Sequence, residues 1–70
     1  MKFLLWRVDP LESTRRYSGA TEREGAARQW ACALAVRDGL LVELTNDAGE
    51  SLDVITPNAA RAALHLEHHP

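Results

Sequence analysis

The sequence predicts a small α+β domain over residues 1–70, of order β-α-β-β-α, in which a three-stranded sheet carries two helices packed on one face. Three patterns lead to it. A Thr-x-x-Glu signature precedes an alanine-rich run, two alternating apolar segments flank the turn residues Asn46 to Gly49, and a Thr-Pro pair opens a final helical stretch.

The first strand is Lys2 to Val8, rich in β-formers and aromatics and stopped at Asp9-Pro10. Leu4, Trp6 and Val8 alternate with Phe3, Leu5 and Arg7, so both faces are largely apolar. Residues 10–20 have no sustained period and contain Pro, Gly and two Ser, which reads as a loop or a weak strand.

Helix chemistry begins at Thr21. Thr21 and Glu24 fit a capping box, the following run is dominated by strong helix formers, and Asp38-Gly39 supplies a left-handed closing residue, giving a helix over 21–37. A rival reading makes residues 30–37 a hairpin strand, because Trp30, Cys32, Leu34 and Val36 alternate with alanines and Asp-Gly is also a hairpin turn. Alanine is depleted in strands, and this favours the helix. Its stripe is Ala27, Trp30, Ala31 and Leu34, with Cys32 and Val36 pointing away.

Leu40 to Thr45 and Ser51 to Thr56 then form a hairpin, with Leu40, Val42, Leu44, Leu52 and Val54 expected inward and Leu41, Glu43, Thr45, Asp53 and Ile55 outward. Thr56 and Pro57 start a helix over Asn58 to about Glu67 that buries Ala60 and Leu64. The expected core is completed by Leu4, Trp6 and Val8 from the first strand.

Composition limits what such a chain can do. A domain of 70 residues buries only about 60% of its unfolded surface, which leaves little stability for a strained active site, and no catalytic role is expected. The chain has no apolar run of about 20 residues, and Met1 to Val8 is too short for a secretory signal, so a cytoplasmic location is expected. The lone Cys32 agrees with a reducing compartment. Net charge is −2, with +2 in residues 1–35 and −4 in residues 36–70.

No motif for nucleophilic, phosphate-binding or cofactor chemistry is present, and no cofactor is expected. His65, His68 and His69 share one side of a helix but lack the glutamate of a His-Glu-x-x-His metalloprotease helix, and they read as surface histidines rather than a metal site. Arg15, Arg16 and Tyr17 could clamp phosphate and stack a base, although the acidic balance, with a pI near 5.8, counts against nucleic acid.

The apolar surface left over is the more informative feature. With the inward assignment above, Phe3, Leu5, Leu41 and Ile55 lie on the far face of the sheet, and Cys32 and Val36 lie on the back of the first helix. Small monomers rarely expose such a patch without a use for it. The expectation is a non-catalytic protein-interaction module, accessory or inhibitor-like, that homodimerises or docks on a larger protein through these residues, with Arg15, Arg16 and Tyr17 as further contacts. The alternative is a nucleic-acid-binding element built on the Arg15/Arg16/Tyr17 loop. No membrane partner is expected.

Overall fold

The computed structural model describes the backbone of residues 1–68 and side-chain surroundings through Leu64. Its elements are β1 (Phe3–Asp9), β2 (Thr14–Thr21), α1 (Glu24–Asp38), β3 (Leu41–Asn46), β4 (Ser51–Ile55) and α2 (Pro57–His68). The sheet has four strands, not three, in the order β2-β1-β3-β4, and every neighbouring pair is antiparallel.

The extra strand is the stretch that reads from sequence as a loop or weak strand. Asp9 turns the chain, accepting the Leu11 N–H on its carboxylate and the Ser13 N–H on its carbonyl, both at 2.9 Å. Residues 14–21 then pair back along β1, from Asp9↔Thr14 to Phe3↔Thr21. β1 thus becomes an inner strand paired along both edges, with one of its two apolar faces under the helices and the other on the opposite side of the sheet.

Because β1 runs antiparallel to both β2 and β3, those two strands point the same way, and the chain must return along the sheet between them. α1 makes that return. It begins at residue 24 because the expected capping box does not form. Thr21 is the last residue of β2, and the N-cap is Arg23, in extended conformation with no side-chain cap. The Thr21 hydroxyl accepts only a long bond from the Arg23 N–H, at 3.4 Å. Residues 30–37 are helical throughout, so the hairpin alternative does not hold. Gly39 closes α1 in the left-handed region, φ 66°, donating its N–H to the Ala35 carbonyl.

α1 buries Ala27, Ala31, Leu34 and Ala35, a stripe whose small side chains bring the helix close to the sheet. Beneath it lie Leu5, Val42, Leu44 and Ile55, and α2 adds Ala60 to the same core. α2 starts on the expected cap, the Thr56 hydroxyl accepting the Ala59 N–H at 3.1 Å.

The sheet faces differ from the expectation in two strands. In β1 it is Phe3 and Leu5, not Leu4, Trp6 and Val8, that turn toward the helices. In β4 it is Asp53 and Ile55, not Leu52 and Val54. The charged residues that suggest a solvent face in the sequence instead lie on the helix side at its rim. Arg7 reaches Asp38 at the end of α1 (3.1 Å) and Ser18 (3.0 Å), and Asp53 reaches Arg28 on α1 (2.7 Å). Long charged side chains can share a covered face when their heads escape at its border.

Candidate protein-docking face

Turning Phe3 and Leu5 inward leaves Leu4, Trp6 and Val8 of β1 on the opposite face. Cross-strand pairing sets Leu41, Glu43 and Thr45 of β3 beside them, Ala20, Tyr17 and Arg15 of β2 on one flank, and Val54 of β4 on the other. The molecule measures 37 × 31 × 15 Å between Cα extremes. Its short dimension holds one sheet and one helix layer, whereas a further packed sheet would add about 10 Å. Among the described residues, no element crosses this second face.

Trp6 organises the face. Its indole N–H donates to the Thr45 hydroxyl at 2.9 Å, and Thr45 is only 1% exposed. The Arg15 guanidinium sits over the Trp6 ring, 4.5 Å from its centroid, and donates to a Glu43 carboxylate oxygen at 2.6 Å. Tyr17 meets Trp6 edge-on, with ring centroids 5.6 Å apart and planes at 69°. The centre of the face is therefore held in one arrangement by its own side chains, and Arg15 is already neutralised there. Exposure concentrates on the two outer strands, where Tyr17 on β2 is 58% exposed and Leu52 and Val54 on β4 are 42% and 50% exposed.

Of the nine residues that the sequence singles out, Arg15, Tyr17 and Leu41 share this face. Leu5 and Ile55 are buried in the core on the helix side, Phe3 packs against that core, and Cys32 and Val36 are partly buried against it from α1. Arg16 is exposed but pairs across from Arg7, so strand alternation turns it to the other side of β2 from Arg15 and Tyr17. The expected basic-aromatic trio does not converge. Sequence reasoning sets Glu43 and Thr45 beside Leu41 on the side away from the helices, where they lie, but it misses Leu4, Trp6, Val8 and Val54 as members of the face because it places them in the core. The signal that could have found them is that Arg7 and Asp53 can pair with charges near the ends of α1.

The helix side offers a second concavity, a groove of about 490 Å³ between α1, α2 and β4, lined by Gly25, Gln29, Cys32, Ile55 and Ala59 among others. Arg28 stands at its edge, and its hydrogen bonds to Asp53 and then Glu24 hold its guanidinium still more firmly charged than usual. At the other end of α1, hydrogen bonds from Arg37 and then Arg7 hold the Asp38 carboxyl below the usual carboxylate range. Both are ties between a helix and the sheet or its own end.

Among the described residues, no group of three His, Cys, Asp or Glu side chains is placed to hold a metal ion, and the side chains of His65, His68 and His69 lie outside the described residues. No helix among the described residues is long and apolar enough to cross a membrane. The chain matches none of the protein-family models, curated proteins or solved structures with which it was compared.

Proposed function

We propose that this chain is a non-catalytic protein-interaction module of the cytoplasm that meets a protein through the open face of its sheet. One observation carries the reading. The face carries an apolar or aromatic side chain on each of its four strands, Tyr17, Trp6, Leu41 and Val54, with its cation Arg15 already bound to Glu43 and stacked on Trp6. Such a face offers an aromatic and aliphatic surface without a free positive charge, which suits a protein rather than a phosphate backbone.

The nucleic-acid reading loses support for the same reason. A single-stranded base needs an open aromatic ring and a nearby cation for the phosphate. Here the Trp6 ring is covered by Arg15, and although the Tyr17 ring is open, the Arg15 on its strand is bound to Glu43 and Arg16 faces away.

Affinity capture from the native host tests the proposal, comparing the wild-type chain with Tyr17→Asp, Val54→Asp and a control, Ala33→Asp on the exposed side of α1. The expected result is a discrete co-purifying protein, this chain or another, that both face variants lose and the control keeps. Capture that survives both face variants, or binding of RNA or DNA in place of protein, overturns the reading.

A further inference from the structure

We propose that the occupant of the open face is a second copy of this chain, seated face to face about a two-fold axis that runs along the strands midway between β1 and β3. This rests on the reading of the face as a protein contact and adds which protein makes it. A two-fold interface must be complementary to itself, since the same patch supplies both sides.

The distribution of exposed apolar side chains meets that condition. Tyr17 stands on one outer strand and Leu52 and Val54 on the other, with the self-packed Trp6 and Leu41 rows between. Turning a copy over about the stated axis reverses the strand order. Each copy's β2 then lies over the other's β4, and each β1 over the other's β3. Tyr17 of one copy comes down on Val54 of the second, since both stand in the one cross-strand row Tyr17–Trp6–Glu43–Val54, so the exposed side chains of the two flanks cover each other.

Charge allows the same arrangement. A residue near a two-fold axis meets its own like, and an unpaired charge there would repel itself. The Arg15–Glu43 pair, with its 2.6 Å bond, leaves the centre of the face locally neutral. The sheet edges disfavour the competing edge-to-edge dimer. The register shifts in both outer pairings leave Ser18 of β2 and Leu52 of β4 as extra residues, and such bulges interrupt continuous pairing with another strand.

The area sets the class of contact. Four strands at a spacing of about 4.8 Å and about six residues at about 3.3 Å give a flat footprint of roughly 400 Å² per copy. With side-chain relief, two copies bury about 1,000 Å², below the roughly 1,200–2,000 Å² of stable complexes, which puts this dimer in the small, transient class.

Sedimentation equilibrium between about 5 and 500 μM tests it. The expected result is a mass rising from 7.8 kDa toward twice that value, with Val54→Glu weakening association at least tenfold and Ala33→Glu leaving it unchanged. Geometry is read in a Cys32→Ser background with a short bismaleimide: mixed Tyr17→Cys and Val54→Cys chains cross-link to each other, and neither cross-links to itself. A 7.8 kDa particle at every concentration overturns the proposal, as does a dimer indifferent to Val54→Glu or a Tyr17–Tyr17 cross-link. A monomer that still captures another protein through Tyr17 and Val54 overturns the second copy alone, and a monomer that captures nothing overturns the protein-contact reading with it.

Discussion

Trp30 of α1 lies flat against Gly19 of β2, so close that a β-carbon built on Gly19 would overlap the six-membered ring, 2.6 Å from Cζ2 and 2.8 Å from Cζ3. Gly19 is needed for close approach and not for its backbone angles. The ring is 39% exposed and seals the flank where α1 crosses the outer strand.

Gly19→Ala should therefore push the ring off the sheet and cost about 1–3 kcal/mol, the usual range for overpacking. In a Trp30→Ala background the same change should cost much less, because the obstructed ring is gone. A double-mutant cycle by urea denaturation reads the difference, and additive effects would contradict this packing.

At the far end of the helix, Gly39 holds φ 66° while its N–H bonds the Ala35 carbonyl. Gly39→Ala should destabilise the fold by about 1 kcal/mol, since a β-carbon is costly in the left-handed region. A denaturation midpoint equal to wild type would contradict the cap.

On the open face, Thr45→Val keeps the shape of the side chain and deletes the acceptor of the Trp6 indole N–H. The expected loss is about 1 kcal/mol, with a change in tryptophan fluorescence as the indole leaves its partner. Arg15→Met, which keeps an apolar stem over the ring but removes the cation, should cost no more than about 1 kcal/mol, because the Arg15–Glu43 pair is partly solvated. A larger loss from Arg15→Met than from Thr45→Val would mean that the cation, and not the indole hydrogen bond, is what holds the ring.

Asp38 gives the acid response. Its folded carboxyl is held below the usual range by Arg37 and Arg7, so its contribution is fully present above the unfolded value of about 3.9 and disappears as pH falls through the folded value. Urea midpoints measured from pH 6 down to pH 3 should fall less steeply for Asp38→Asn than for wild type. Parallel curves would show that Asp38 does not contribute.

The positions of α1, β3, β4 and α2 can be read from the chain because each carries a local signal: an alanine run closed by Asp38-Gly39, alternation about the Asn46 turn, and the Thr56 cap. β2 carries none. Thr14 to Thr21 holds two arginines, a serine and a glycine, and it is a strand because β1 pairs with it and because Trp30 needs a glycine there. Tertiary contact overrides weak propensity at such a strand. The two sides of the sheet are hard to tell apart for a related reason. Leu4-Trp6-Val8 and Phe3-Leu5-Arg7 are nearly equal in apolar content, and the choice between them depends on Arg7 finding Asp38 31 residues away. An analogous long-range pair, Arg28 with Asp53, lets a charged residue share the covered side of β4 with the core residue Ile55.

The most direct test of the open face as the protein contact is photocross-linking in cells of the native host, with a photoreactive residue at position 17, 54 or, as a control, 33. Positions 17 and 54 should each give one discrete adduct, at twice the chain mass if the second copy is the occupant, and position 33 should give none. Should positions 17 and 54 yield no adduct, or one that position 33 yields equally, this side of the sheet simply faces water.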